Sequence, residues 1–343
     1  MSDTLTTTCP LTSKDFVSDQ EVKWCPGCGD YSILKQAQTI LPSIGIPKEK
    51  IVFVSGIGCS SRFTYYMDTF GIHSIHGRAC PIAEGIKTAR PELSVWVATG
   101  DGDALSIGGN HFIHLLRKNF NLNVLMFNNQ IYSLTKGQYS PTSEIGKITK
   151  SSPYGTIETP FNPLELALGA GGSFVARTID RNPKHMQMIL KRAAEHEGTS
   201  FVEVYQNCNV FNDGAFFMYT EKETKDEESL YLEHNKPMVF GNQNSKGIKL
   251  NGWLPEVVDL KTFSVNDLPV YNENDKTLAT ILARFFENKP NHPHLPRPFG
   301  IFYTEQRPAY EKLMALQIEE AKKKKGSPTL NEVLAGSMTW EVN

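Results

Sequence analysis

Short apolar runs alternate with segments of helical periodicity through the middle of the chain. Three of these segments predict helices, and the last opens with Asn182 as N-cap and Pro183 at the first helical position: Ala83–Ala89, Gly109–Lys118 and Pro183–His196. Strands are predicted where Val, Phe and Ile cluster between Gly or Asn, at Ile51–Ser55, Val95–Gly100, Asn123–Asn129, Ser173–Ile179 and Phe201–Gln206. This alternation predicts an α/β fold with a doubly wound, mostly parallel sheet, whose ligands bind beyond the carboxyl ends of the strands.

The pattern changes after Tyr219. Residues 230–275 are rich in turn residues, and Thr277–Asn288 is the one amphipathic helix predicted there. We therefore expect three parts: an N-terminal segment 1–30, a main domain 31–219, and an irregular C-terminal extension 220–343 that makes subunit contacts.

Charge and hydropathy exclude several classes of function. The chain has 35 Lys and Arg against 37 Asp and Glu, so a nucleic-acid partner is not expected. No apolar stretch is long enough to span a bilayer, and the polar N-terminus lacks the features of a signal or transit peptide. We expect a cytoplasmic protein, in which the six cysteines serve metal or redox chemistry rather than disulfides.

A Gly-Asp-Gly-Asp sequence follows the second predicted strand. Asp101 lies in this sequence, and Asn129 closes the next strand. Glycines let the backbone approach a diphosphate, and a diphosphate usually carries a divalent cation that prefers oxygen ligands. Asp101 and Asn129 supply such oxygens, and the carbonyl of Ile131 is close in sequence. Each motif alone is compatible with an ordinary turn, but the two together predict a metal–diphosphate site.

Four cysteines can meet at the same edge of the sheet. Cys25 and Cys28 form a C-x-x-C motif, and Cys59 and Cys208 each follow a predicted strand. Four thiolates suit either a structural zinc ion or a [4Fe–4S] cluster. The last two cysteines are single and far apart, whereas zinc ribbons usually contain two close pairs, which favours the cluster. Cys80 is interpreted as a packed residue and Cys9 as a spare thiol.

These motifs as an ordered set resemble the β subunit of 2-oxoacid:ferredoxin oxidoreductases, especially the 2-oxoglutarate synthase type. The resemblance is strong from Trp24 to Cys208 and looser beyond. The motifs that carry it are Trp24-Cys25-Pro26-Gly27-Cys28-Gly29, Gly56-Ile57-Gly58-Cys59-Ser60-Ser61, His76-Gly77-Arg78-Ala79, Gly100-Asp101-Gly102-Asp103 and Leu134-Thr135-Lys136-Gly137-Gln138.

The resemblance implies a thiamine diphosphate-binding fold and assigns roles to individual residues. Asp101, Asn129 and the Ile131 carbonyl would hold Mg²⁺, and Cys25, Cys28, Cys59 and Cys208 would hold one [4Fe–4S] cluster. His76 and Arg78 would act near the reacting atoms. Contacts to thiamine diphosphate are implied for Gly58, Cys59, Ser60, His76, Gly100, Asp101, Gly102, Asp103, Asn129, Ile131, Leu134 and Thr135.

The reaction of this family converts a 2-oxoacid, CoA and oxidised ferredoxin to acyl-CoA, CO₂ and reduced ferredoxin. The glutamate that activates the cofactor has no convincing position in this chain, and the family places it on a partner α subunit. We therefore expect the chain to be active only in a heterodimer, or a dimer of heterodimers, that delivers electrons to ferredoxin.

The sequence is less specific about which residues bind the 2-oxoacid substrate. Arg62 and Lys136 are the available cations for the distal carboxylate of 2-oxoglutarate, although either could instead bind CoA phosphates or a neighbouring carboxylate. Three alternatives remain open. They are the same reaction on pyruvate or another 2-oxoacid, a thiamine decarboxylase without a cluster, and a zinc-binding scaffold without activity.

Overall fold

The structure is a computed structural model that describes residues 11–285 and 294–340. Thirteen strands are present within these residues. In chain order they are β1 (Ile51–Ser55), β2 (Phe70–His73), β3 (Ser94–Gly100), β4 (Leu122–Asn128), β5 (Ile131–Tyr132), β6 (Gln138–Tyr139), β7 (Phe174–Ile179), β8 (Thr199–Tyr205), β9 (Ser229–Tyr231), β10 (Val239–Phe240), β11 (Lys246–Asn251), β12 (Leu254–Asp259) and β13 (Arg297–Thr304).

Eight of these strands form the main sheet of the described chain, in the order β2-β1-β3-β4-β8-β7-β13-β9. The first six are mutually parallel, whereas β13 pairs antiparallel with β7 and parallel with β9. The predicted α/β class is confirmed. All five predicted strands lie in the parallel part, and each agrees with its observed bounds to within two residues at either end.

Helices cover both faces of the sheet. Between 11 and 285, and again from 294 to 340, the α-helices are α1 (Asp30–Ile40), α2 (Ala79–Ala89), α3 (Asp101–Leu105), α4 (Gly109–Lys118), α5 (Pro163–Gly169), α6 (Pro183–Glu195), α7 (Lys225–Glu228), α8 (Lys276–Ala283), α9 (Tyr310–Lys325) and α10 (Leu330–Ala335). None of them combines the length and the apolar character that crossing a membrane requires.

The two faces are built from alternating strand residues. On β3, Val95 and Val97 pack with α2, α4, α5 and α8, whereas Trp96 and Ala98 point to the opposite face and pack with α1 and α6. Side chains alternate between faces along a strand, so a strand buried on both sides is apolar throughout. The continuous apolar runs in the sequence reflect this double burial.

The C-terminal extension is more regular than the sequence predicted. Two of its strands, β9 and β13, join the main sheet, and β10, β11 and β12 form a separate antiparallel sheet. The predicted helix Thr277–Asn288 is observed as Lys276–Ala283, and its last three positions lie outside the described residues, as does Cys9. The sequence analysis did not predict β13, which lies between β7 and β9 and pairs with strands that are distant in sequence.

Candidate active site

A cavity of about 270 Å³ lies at the carboxyl ends of β1, β3 and β4. All the residues for which the resemblance implied cofactor contacts line this cavity. The lining consists of Ile57, Gly58, Cys59, Ser60, His76, Gly100, Asp101, Gly102, Asp103, Phe127, Asn129, Ile131, Tyr132, Ser133, Leu134 and Thr135. The parallel arrangement brings them together because it places the carboxyl ends of neighbouring strands at one edge.

Asp101 is one of two buried carboxylates that line this cavity, and the other is Asp103. The hydroxyl of Ser140 donates to Asp101 Oδ2 over 2.6 Å, and that of Thr142 also donates to Oδ2. Burial raises the pKa of Asp101 to about 6, although these hydroxyls oppose the increase. A buried carboxylate is normally neutralised by a proton or by a cation. The donor set therefore fits a divalent cation, with Asn129 on the adjacent strand end as a second oxygen donor.

Asp103 accepts hydrogen bonds from several residues around the cavity and so holds the cavity wall together. Its Oδ1 accepts hydrogen bonds from His76 Nδ1 at 2.7 Å, from the Gly77 amide at 2.7 Å and from the Ile57 amide at 3.1 Å. Its Oδ2 accepts from the Thr99 hydroxyl at 2.6 Å. An ionised carboxylate only accepts, so His76 donates through Nδ1, and the neutral imidazole would then have Nε2 as an acceptor.

Position 102 requires glycine because the ring of Tyr132 lies too close to leave room for a side chain. A Cβ atom there would lie 2.1 Å from the ring of Tyr132, whose hydroxyl donates to the Gly102 carbonyl at 3.1 Å. This contact holds the Gly-Asp-Gly-Asp loop against β5, the strand that contains Ile131. Any larger residue at position 102 would separate the two halves of the predicted metal site.

The four predicted cluster cysteines are brought together by three loops. The amide of Cys28 donates to the Cys25 carbonyl at 3.0 Å, and Gly27 between them has a φ of 85° that glycine adopts readily. The Gly29 amide donates to the Asn207 carbonyl at 3.1 Å, which attaches this turn to the Cys208 loop. The third loop begins at Cys59, on the wall of the cavity.

The cysteine side chains are close enough to influence one another electrostatically. Burial raises the pKa of Cys28, and the neighbouring Asp30, Cys208 and Cys59 add to the increase. Burial likewise raises the pKa of Cys59, to which Cys208 and Cys25 contribute. Such thiols would stay protonated unless a metal stabilised their thiolates.

Hydrogen-bond donors face two of the sulfurs. Gln206 Nε2 donates to Cys28 Sγ over 3.2 Å, and Ser133 Oγ donates to Cys59 Sγ over 3.4 Å. Donors of this kind stabilise ligand thiolates. Among residues 11–285 and 294–340, no three His, Cys, Asp or Glu side chains converge on the position of a single metal ion. Four cysteine thiols are a donor set that could hold a four-iron cluster, in which each sulfur would bind a different iron.

The predicted substrate cations lie outside the cavity lining. Arg62 is half-buried in the turn after Cys59, and Lys136 is exposed on the loop between β5 and β6. Lys136 has a φ of 76°, a left-handed conformation that is unfavourable for a lysine. Arg78 is also exposed, and its guanidinium contacts His111. Cys80 is a buried core residue, as the sequence interpretation expected.

Sequence reasoning missed the polar residues around these groups. Ser140 and Thr142 contact Asp101, whereas Ser133 and Gln206 contact the cysteine sulfurs. The Ser140-Pro-Thr-Ser143 segment is a dense run of hydroxyl residues, which is the one signal that could have indicated a role. Nothing in the sequence distinguishes Ser133 or Gln206 from ordinary loop residues.

Comparison with known proteins adds independent evidence. The family model "Thiamine pyrophosphate enzyme, C-terminal TPP binding domain" matches residues 56–204. The chain is 47% identical to the 2-oxoglutarate oxidoreductase subunit KorB of Mycobacterium tuberculosis, over 98% of this chain and 90% of that protein. It is 37% identical to the 2-oxoacid:ferredoxin oxidoreductase subunit beta of Saccharolobus solfataricus, over 78% and 89% of the two chains.

A solved structure has the same fold. The 2-oxoglutarate:ferredoxin oxidoreductase from Magnetococcus marinus, with 2-oxoglutarate, coenzyme A and succinyl-CoA bound, superimposes with a TM-score of 0.76 and 32% identity. The match covers 96% of this chain and 97% of that one.

The fold and the cavity at its strand ends define a thiamine diphosphate-binding subunit of an oxidoreductase. The chain belongs to the β-subunit family of the 2-oxoacid:ferredoxin oxidoreductases and works with a partner subunit.

Proposed function

We propose that this chain, together with its α subunit, converts 2-oxoglutarate and CoA to succinyl-CoA and CO₂ and transfers the electrons to ferredoxin. The observation that carries the proposal is that Cys59 takes part in both proposed sites. This residue belongs to the group of four cysteines and also lines the wall of the proposed cofactor cavity. A cluster held there would be next to thiamine diphosphate.

In the proposed site, Asp101, Asn129 and the Ile131 carbonyl would hold Mg²⁺ and thereby orient the diphosphate. Thiamine diphosphate supplies the electron sink for decarboxylation, and a [4Fe–4S] cluster accepts single electrons for ferredoxin. As a neutral imidazole, His76 would contribute Nε2 as an acceptor within the cavity, because its Nδ1 donates to Asp103. The chain's own contribution is to bind the two groups side by side.

The choice of 2-oxoglutarate is supported by the conformation of Lys136. A lysine maintained at a φ of 76°, next to Leu134 and Thr135 of the cavity wall, costs stability that a glycine would not. We propose that its charge, with that of Arg62, attracts the distal carboxylate of the substrate. Arg78 is exposed in this chain and its guanidinium contacts His111, and its role near the reacting atoms stays a prediction.

The metal content tests the cluster. We expect the complex with the partner subunit, purified without oxygen, to be brown and to contain about four irons per chain. Cys208→Ser should remove most of the iron and retain thiamine diphosphate binding. Stoichiometric zinc, or CO₂ release that needs no electron acceptor, would contradict the proposal and favour the zinc scaffold or the cluster-free decarboxylase, respectively.

Substrate preference is tested with a matched pair of variants. Lys136→Gly removes the charge and also relieves the backbone strain, whereas Lys136→Arg keeps the charge. We expect Lys136→Gly to raise the KM for 2-oxoglutarate about tenfold, with little change for pyruvate, and Lys136→Arg to raise it less. An unchanged KM for 2-oxoglutarate in both Lys136→Gly and Arg62→Ala would contradict the assignment of the distal carboxylate.

A further inference from the structure

Ser133 stands between the proposed metal site and a proposed cluster ligand. Its hydroxyl donates to Cys59 Sγ over 3.4 Å. The Nδ2 of Asn129 lies 3.5 Å from the same hydroxyl oxygen, at the outer limit of a hydrogen bond. Ser133 therefore contacts both an amide that would bind Mg²⁺ and a sulfur that would bind iron.

The backbone also links Ser133 to the proposed metal site. Ser133 lies two residues after Ile131, whose amide donates to Asn129 Oδ1 at 3.2 Å. Both Ser133 and Asn129 line the cavity. A metal that engages Asn129 and the Ile131 carbonyl would therefore also fix the position of Ser133 relative to Cys59.

The contact has a defined electrostatic consequence. A reduced cluster carries one more negative charge than an oxidised cluster, and part of that charge resides on its sulfur ligands. A hydroxyl that donates to a ligand sulfur therefore stabilises the reduced form and raises the reduction potential. The hydroxyl donates more strongly when its own oxygen accepts from a polarised amide, and a cation bound to Oδ1 of Asn129 would polarise that amide.

We propose that Ser133 is a positioning residue that couples the reduction potential of the cluster to the occupancy of the metal–diphosphate site. This inference rests on the proposed function. Loading of Mg²⁺ and thiamine diphosphate strengthens the hydrogen bond from Ser133 to Cys59, so that the cluster accepts an electron more readily when the cofactor is in place. Coupling between two sites is reciprocal, so reduction of the cluster tightens cofactor binding by the same factor.

Gln206 provides an internal comparison. It also donates to a cysteine sulfur, that of Cys28 at 3.2 Å, but it does not line the cavity, and its amide donates in addition to the Asn207 carbonyl at 2.6 Å. It should therefore raise the potential to the same extent with and without the cofactor.

The test is a redox titration of the complete complex with its partner subunit, followed by electron paramagnetic resonance, with and without Mg²⁺ and thiamine diphosphate. The quantity compared is the shift in potential on loading. We expect this shift to be more positive in the wild type and in Ser133→Thr than in Ser133→Ala. Gln206→Leu should lower the potential in both states and retain the wild-type shift.

A second measurement requires no variant. The affinity of the wild-type complex for thiamine diphosphate, in excess Mg²⁺, is compared between the oxidised and the dithionite-reduced states, and we expect tighter binding in the reduced state. If an iron cluster is present and its reduction potential shifts equally on cofactor loading in the wild type and in Ser133→Ala, this inference alone is overturned. A preparation that contains zinc and no cluster overturns the proposed function as well.

Discussion

The side-chain amide of Asn212 donates to the backbone carbonyl of Asn129 over 2.9 Å, and Asn212 is itself buried. The backbone amide of Asn212 also donates to the Cys208 carbonyl at 3.0 Å. The loop of a proposed cluster ligand is thus attached directly to a proposed metal ligand. The two groups of residues form one structural unit rather than two neighbouring sites.

Replacement of Asn212 should weaken both parts of this unit. Asn212→Leu leaves the Asn129 carbonyl without its donor, which costs about 1–3 kcal/mol at a buried position. We expect Mg²⁺-dependent thiamine diphosphate binding to weaken roughly tenfold and the iron content to fall. Calorimetric titration and an iron assay measure the two effects. Lys147→Met is the control, because Lys147 contacts Asn212 Oδ1 and not the amide that binds Asn129.

Asp101 should give the protein without cofactor a characteristic pH dependence. Burial raises its pKa from 3.8 to about 6, so the folded state binds a proton that the unfolded state has already lost. The contribution of Asp101 to the free energy of unfolding should therefore decrease as the pH rises from about 4 to about 6. Asp101→Asn should remove this component and abolish Mg²⁺-dependent cofactor binding while the cluster is retained.

The free energy of unfolding is measured with urea in the absence of Mg²⁺ across this pH range. The profile of the wild type is compared with that of Asp101→Asn. In the wild type, the affinity for Mg²⁺ and thiamine diphosphate should also weaken below about pH 6, because a protonated carboxyl is a poor ligand. Identical pH profiles for both proteins would show that Asp101 is ionised in the apo fold.

Arg177 and Glu203 form a fully buried ion pair with a 2.6 Å contact. Glu203 also accepts from Asn128 Nδ2 at 2.7 Å, which anchors the end of β4 beside the metal site. Glu203→Gln leaves the arginine charge uncompensated, and we expect it to lower the free energy of unfolding by about 3–5 kcal/mol.

Two comparisons define this effect in urea unfolding. Arg177→Met combined with Glu203→Leu should cost less than Glu203→Gln, because no buried charge remains. Glu221→Gln breaks the exposed pair with Arg181 and should change stability by less than about 1 kcal/mol. A Glu203→Gln loss as small as that of Glu221→Gln would contradict the prediction.

His185 should make the fold sensitive to acid. Burial lowers its pKa from 6.5 to about 4, and its Nδ1 contacts the Thr178 hydroxyl at 2.8 Å. As the pH falls, the unfolded chain takes up a proton before the folded chain does. The contribution of His185 to the free energy of unfolding should therefore decrease as the pH falls from about 6.5 to about 4, by about 2 kcal/mol from pH 7 to pH 5. His185→Leu should make the free energy of unfolding, measured with urea, depend less steeply on pH in this range, whatever the stability of the variant at pH 7.

Much of the sheet could be predicted because its signals are local. The strand Ile51–Ser55 and the helix Gly109–Lys118 have the same bounds in the sequence prediction and in the structure. Asn182 was predicted as an N-cap, and its side chain accepts from the His185 amide. Apolar runs and capping residues act within a few positions, so a single sequence reveals them.

Other elements depend on partners that are distant in sequence. Helix α1 carries the buried polar residues Gln36 and Gln38, so its pattern lacks a clean apolar stripe. Strand β13 is defined by antiparallel pairing with β7, more than a hundred residues earlier. The sequence interpretation also placed Arg62, Lys136 and Arg78 near the substrate, but their exposure and contacts depend on how the loops pack.

The sequence by itself determined the α/β class, the family resemblance, and the residues that could hold a diphosphate, a metal and four irons. It could do so because those chemical groups require particular types of side chain, and these occur in recognisable motifs or at the ends of predicted strands. Only the tertiary structure decided that Cys59 lines the cavity, that Asn212 joins the two ligand loops, and that Ser133 lies between an amide and a sulfur. These relationships depend on how the loops pack against one another, and no periodicity or spacing in one dimension encodes them.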